Sequence, residues 1–350
     1  MSVRRARALV SFAVAGLLAA GCGASGPQFW RPAPEATFAN PVFEPILADP
    51  GVVRAEDGAW YAFGTEDDWG DGAGSRPVPV LRSEDLVTWE HLGEAFERRP
   101  RWKDGYLWAP EVIEHDGRYL LYYAVSVWGD PNPGIGLATS DTPEGPYEDL
   151  GPLFFSDEIG VANSIDPSIV TTDAGLHLVW GSFHGIYVVD LSDDGLEVVS
   201  EPVRIAGDAW EAVKIEPRED GYWFFGSLGS CCEGLQSTYR MAVGRADTLT
   251  GPYLDRDGND LEQSEGTLLL EGGEEFVGPG HHDLVVDDDG QEWLLYHAFE
   301  QDRPTAPSGA PRRVLMLDAL EWDDDGWPRV RGGMTPQADE QPAPAVATDE

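Results

Sequence analysis

The sequence predicts an all-β fold, a five-bladed β-propeller with four antiparallel strands per blade, and three observations predict it. A tight turn built on Asp and Gly leads into an aromatic-rich strand five times, each occurrence is followed by a second strand–turn–strand echo, and no stretch holds a helical apolar period. Five two-hairpin units suit a ring of blades around an axis. Two packed sandwiches would leave five matched pairs of echoes without a reason.

The units are read in order. The first carries AEDGAWYAFG (55–64) and then VPVLRSEDLVTWE (78–90). The second carries EHDGRYLLYY (114–123) and IGLATSDTPEGPYE (135–148). The third carries TTDAGLHLVWG (171–181) and IYVVDLSDDGLEVV (186–199). The fourth carries REDGYWFFGS (218–227) and MAVGRADTLTGPYL (241–254), and the fifth DDDGQEWLLYHA (287–298) and VLMLDALEWDDDGWP (314–328). Asp-Gly between β-rich runs is a hairpin signal because both turn residues need a positive φ that Gly and Asp tolerate.

The flanks read differently. Arg4, Arg5 and Arg7 precede an apolar run from Ala8 to Ala20 and then Gly21-Cys22, so residues 1–21 are expected to be a lipoprotein-type signal peptide with Cys22 as the lipidated residue. The run is short for a membrane span. An exported protein is expected, held at a cell surface or in the periplasm by that lipid, or alternatively secreted. Residues 22–39 are expected to be a flexible tether, 40–331 the propeller, and 332–350 a disordered, Pro/Ala/acid-rich tail.

The formal charge is −40. A field of that sign repels nucleic acid, pectate and anionic lipid, and suits a neutral substrate. Membrane contact is expected only through the N-terminal lipid, and a monomer is expected. Apart from Cys22 the cysteines are the adjacent pair Cys231-Cys232, for which a vicinal disulfide and two reduced thiols are both open.

In a propeller the first strand of each blade lines the central channel, so equivalent positions from distant sequence meet around the axis. Asp49-Pro50 and Asp166-Pro167 head the first and third inner strands; the other three offer Glu111, Glu211 and the pair His281-His282. Proline cannot donate to a ladder and belongs at such strand starts. Carboxylates crowded into one pocket push their pKa values apart, which lets one stay protonated while another stays ionised, the pairing that glycoside hydrolysis uses. Trp69, Trp108, Trp128, Phe183 and Trp210 flank these entrances as candidate faces for a sugar to stack on.

On the stretches LADPGVVR, LWAPEV, NSIDPSIV, AWEAVKI, GSCCEGLQSTYRMAVGRADTLTGPY and FVGPGHHDLVVDDDGQEWLLYHAF, the chain resembles glycoside hydrolase family 43, in its arabinanase-like branch. The resemblance implies an inverting hydrolase of α-1,5-linked L-arabinofuranosyl bonds in a neutral plant polysaccharide or its oligosaccharides. Asp49 would be the general base, Glu211 the general acid and Asp166 the residue that tunes and orients the acid. Glu111 would line the pocket or hydrogen-bond there, with Trp108, Trp128, Phe183 and Trp210 as sugar contacts. No cofactor is implied for the chemistry. His281 matches a channel histidine that helps hold a central ion, often calcium, largely through waters. Ala48 stands where relatives often have His, and Val213 where they have Pro, which leaves endo and exo action both open. The acidic, Gly-rich loop 65–79 is placed to wall one end of a cleft. The alternatives within this frame are a β-xylosidase or arabinofuranosidase on xylan-derived substrates, or a non-catalytic sugar-binding propeller.

Overall fold

The computed structural model describes residues 36–347; the expected signal peptide, Cys22 and most of the expected tether lie outside the described residues. Five four-stranded antiparallel sheets follow one another along the chain. Their inner strands are Gly51–Arg54, Tyr106–His115, Ser168–Thr172, Trp210–Arg218 and Phe276–Val286. In every blade the chain then steps outward strand by strand, and the inner strands of neighbouring blades touch in a closed ring, the fifth against the first. Among the described residues the helical elements are one α-helical turn, Ser156–Ile159, and one 3₁₀ turn, Gly234–Gln236.

Strand alternation explains why these aromatic runs have no polar face. Side chains along a strand point alternately to its two sides, and here both sides of a blade meet another blade. In the second strand of blade 1, Trp60 and Ala62 pack toward blade 5 while Tyr61 and Phe63 pack toward blade 2. In blade 2, Leu121 and Tyr123 face blade 1, and Leu120 and Tyr122 face blade 3. The apolar interior is thus five separate cores, one per blade interface. Each Trp or Tyr in those cores removes a large apolar area from water.

The ring is tied shut by the segment before the first blade. Val42 N–H donates to Leu315 O (2.9 Å), Leu315 N–H to Phe43 O (3.2 Å) and Leu47 N–H to Arg313 O (3.0 Å), which seats residues 42–47 along the third strand of blade 5. Gly51, where the first inner strand begins, lies against blade 2: a Cβ there would stand 2.1 Å from Pro110 O.

The reading of 332–350 as a disordered tail is corrected for 332–347. Gln341–Pro342 pair with Thr37–Phe38, two residues that the tether was expected to include. The cause is a buried carboxylate. Asp318 is fully buried and accepts from Tyr296 Oη (2.5 Å), Gln341 Nε2 (2.9 Å), Asn40 Nδ2 (3.2 Å) and Gln337 N (3.3 Å). Composition made this tail look disordered, but two of its glutamines satisfy a group that water cannot reach.

Ending the chain after Gly332 removes two of the four donors to Asp318. The truncated protein should lose about 1–3 kcal/mol, the cost of a buried polar group left unsatisfied. Urea unfolding of both lengths checks this, and superimposable curves would return the tail to the disordered reading.

Candidate active site

The site is built from a backbone feature repeated at the head of every inner strand. Asp49, Ala109, Asp166, Ala212 and His281 all have positive φ (54°, 45°, 59°, 51° and 46°), one in each blade. Non-glycine residues seldom adopt this conformation, and five at matched positions show a common kink. The pairing of the inner strands of blades 2, 4 and 5 with their neighbours shifts register there. The kinks define a ring of side chains at the channel mouth: Asp49, Ala109, Asp166, Ala212 and His281. Two residues further along each strand lies a second ring: Gly51, Glu111, Ser168, Lys214 and Asp283.

This registration corrects two sequence expectations. Glu111 is in the second ring, where it takes Lys214 Nζ and Ile169 N–H (3.0 Å), and it does not line the cavity. Glu211 sits one residue before its kink, alongside Ala48, Trp108, Ile165 and Gly280 in the other strands.

A cavity of about 870 Å³ opens at the mouth. It is lined by Asp49, Asp166, Glu211 and His281 together, so the three expected acids and the expected histidine meet. Trp108, Trp128 and Phe183 line it too. Trp128 is 78 % exposed and Phe183 41 %, large apolar faces open to solvent at its edge, and the Trp108 and Trp128 ring centroids are 5.8 Å apart. Trp210 is corrected: it is fully buried between blades 3 and 4, and its Nε1–H donates to Leu261 O (3.1 Å). Trp69 likewise belongs to the core between blades 1 and 5. The 65–79 loop forms a short hairpin, Asp67–Asp68 with Ser75–Arg76, and contributes to the cavity wall. Cys231 and Cys232 also line the cavity, as free thiols.

Asp49 is the most heavily tethered acid. Thr65 Oγ1 donates to its Oδ2 (2.6 Å), and Arg313 Nη1 lies 3.0 and 3.1 Å from its two oxygens. His281 Nδ1 is 3.3 Å from Oδ1. The Asp49 backbone N–H donates to His297 Nδ1 (3.1 Å), so that nitrogen carries no proton, and burial holds His297 neutral, well below its usual pKa. Its closeness to Asp49 is therefore not an ion pair. Burial alone would raise the Asp49 pKa, but Arg313 and then His281 hold it well below the ordinary carboxylate range. The same contact works in reverse on His281: burial lowers its pKa, the Asp49 charge raises it, and the increase prevails.

Glu211 has the opposite environment. Ser182 Oγ donates to its Oε2 (2.9 Å), while Oε1 is buried with no hydrogen-bond partner among the described residues. Burial and then the charge of Asp166 push the Glu211 pKa well above its ordinary value. Asp166 accepts Ala212 N–H (3.2 Å), and burial raises it to about 6. The result is one carboxylate held ionised and one held protonated around a single cavity.

The sequence did not reveal Arg313, His297 or Thr65. Each lies on, or just after, a second or third strand of a blade, and nothing in its local pattern marks its reach into the channel.

The described geometry has relatives. Residues 38–328 match the pattern of the glycosyl hydrolases family 43. The chain is 34 % identical over 313 residues to an extracellular exo-α-(1→5)-L-arabinofuranosidase of Cellvibrio japonicus, covering 81 % of this chain and 85 % of that one. It is 32 % identical over 321 residues to an extracellular endo-α-(1→5)-L-arabinanase of Bacillus subtilis, covering 87 % and 94 %. Among solved structures, a Cellvibrio cellulosa α-L-arabinanase complexed with arabinohexaose superposes with a TM-score of 0.71 at 32 % identity, covering 82 % of this chain and 96 % of that one.

Replacing Arg313 with Gln leaves the buried Asp49 carboxylate without its cation. The variant should lose about 3–5 kcal/mol of stability, the range for breaking one side of a buried ion pair, and the Asp49 pKa should rise. Denaturant unfolding and a carboxyl carbon NMR titration read the two effects, and an unmoved Asp49 titration would remove Arg313 from the account of the site.

Proposed function

The chain belongs to the glycosyl hydrolases family 43, and from that membership we propose that it hydrolyses α-1,5-linked L-arabinofuranosyl bonds of arabinan with inversion at the anomeric carbon. The observation that carries this reading is that Asp49, bound by Arg313, and Glu211, buried with one oxygen unpartnered among the described residues, line one cavity. Inverting hydrolysis needs one carboxylate to accept a proton from water and one carboxylic acid to protonate the departing oxygen. In this reading Asp49 takes the proton of a water whose oxygen forms the new bond to the anomeric carbon. The glycosidic bond breaks as the Glu211 proton passes to the leaving oxygen. The free Oε1 of Glu211 is the atom suited to face that oxygen. Asp166 keeps Glu211 protonated by its charge and fixes the kink at Ala212 by accepting its N–H. No cofactor enters any step.

Trp108, Trp128 and Phe183 supply apolar faces on which furanose rings can stack, and the surface charge suits an uncharged polymer. Relatives of comparable identity are named as both exo- and endo-acting, so the arabinan linkage is the shared property that supports the substrate class. Export is supported by the Arg-rich start and apolar run of the sequence, with Cys22 as the residue to carry a lipid.

Linear 1,5-α-arabinan should be depolymerised by the soluble domain, followed by chromatography over time. A ladder of oligosaccharides would assign internal cleavage, and arabinose from the first time point would assign release from chain ends. Cleavage of xylo-oligosaccharides with none of arabinan would overturn the substrate.

The Asp166→Asn variant tests the acid–base assignment. The Asp166 charge raises the Glu211 pKa, so removing it lowers that pKa and depletes the protonated acid at a lower pH. The alkaline limb of kcat/KM should therefore move to lower pH, while the acid limb, set by Asp49, moves little. An unmoved alkaline limb would separate Asp166 from Glu211.

A further inference from the structure

Family membership carries the expectation of a cation in the channel below His281, and the residues at that place are a poor fit to one. An ion held by His281 and largely through waters needs free acceptors for those waters in the ring below. The second ring does hold two carboxylates, Glu111 and Asp283, but both are already committed. Lys214 Nζ is bonded to Glu111 Oε2 and lies 3.2 Å from Asp283 Oδ1. The remaining oxygens take backbone donors: Ile169 N–H reaches Glu111 Oε1 (3.0 Å) and Val52 N–H reaches Asp283 Oδ2 (2.6 Å).

Those five residues come one from each blade: Val52, Glu111, Ile169, Lys214 and Asp283 from the first to the fifth. Blades 2 and 4 are not neighbours, so the Lys214–Glu111 pair passes across blade 3's side of the channel. We propose that the Lys214 ammonium takes the place of the channel cation in this enzyme, a covalently attached positive charge that ties the five inner strands and makes a bound metal ion unnecessary.

Two further features agree. Burial alone would lower the Lys214 pKa, but Asp283 and Glu111 raise it, so the group is a permanent cation. It stands one ring below His281, and its partner Asp283 lies two residues along the same strand as that histidine. A second, divalent charge there would meet Lys214 with both carboxylates of the second ring already bonded.

The expectation of an ion rests on the family reading, but the decisive measurements do not depend on activity. Metal analysis of the full-length protein purified without added ions should find no stoichiometric calcium, sodium or other cation. Dialysis against EDTA should leave its melting temperature unchanged. In Lys214→Met two carboxylates face each other across the axis without their cation. This variant should melt lower, and added calcium chloride should raise its melting temperature while leaving that of the unaltered protein in place. One EDTA-removable ion per unaltered chain, with a fall in melting temperature on its removal, overturns the proposal. So does a Lys214→Met protein that melts with the parent and ignores calcium. Should that variant fail to fold, the metal content and EDTA response of the unaltered protein still decide. Failure to cleave arabinan would count against the proposed function alone.

Discussion

The chemistry of this protein depends on a backbone constraint, the left-handed residue at the head of each inner strand. A non-glycine residue in that conformation costs roughly 1–3 kcal/mol when the surroundings must enforce it, and the fold enforces it five times. Asp tolerates it best among the residues used, because its short polar side chain bonds locally. Ala109 and Ala212 keep the kink with the smallest side chain that has a Cβ. In blade 4 the kink's use lies one residue earlier, where it turns Glu211 into the cavity while Trp210 goes into the blade interface. A straight strand would present alternate residues to the axis and could not place Glu211 and Lys214, three apart, on the same channel.

Given that geometry, the division of labour among the three acids comes from a single side chain's position. Asp49, Asp166 and Glu211 are all deeply buried, and burial raises the pKa of each. Were burial the only effect, all three pKa values would be shifted upward and none of the acids would be held ionised. Arg313 breaks the symmetry. It contacts both oxygens of Asp49 from the third strand of blade 5, while Oε1 of Glu211 has no partner among the described residues. In the proposed mechanism the cost is a weaker base, since a carboxylate held by a guanidinium gives up some proton affinity. Inverting hydrolysis tolerates this, because the transition state resembles an oxocarbenium ion and the attacking water needs a proton acceptor only as the new bond forms.

The fold and the three acids were legible in the sequence for the same reason: they are repeated. Five Asp-and-Gly turns announce five blades, and Asp-Pro twice before a β-branched run announces two equivalent entrances. What was not legible lies one residue off the repeat or outside it. Glu111 looked equivalent to Asp49 because both follow or precede a proline, and only the kink's register shows Glu111 one ring deeper. Trp210 looked like a sugar contact because it adjoins Glu211, yet adjacency along a strand means opposite sides. Arg313 and His297 reach the channel from outer strands, where reach depends on how strands stack rather than on any local pattern. The tail's composition was that of a disordered segment, and what orders it is Asp318, distant in sequence and itself unremarkable there.

The two rings are best understood as one stack of alternating charge. At the mouth, Asp49 is matched by Arg313 and His281. Below it, Glu111 and Asp283 are matched by Lys214. A protein of net charge −40 places Asp49, Glu111, Asp166, Glu211 and Asp283 buried around its axis, and three of these, Asp49, Glu111 and Asp283, are held by cations of its own chain. Lys214 bears on the chemistry through this stack: its charge opposes protonation of His281, while Asp49 favours it. The pKa of His281 is thus set by burial and, least, Lys214 on one side, and by Asp49 and Asp166 on the other. The frame that holds the blades together therefore also reaches the histidine that contacts Asp49.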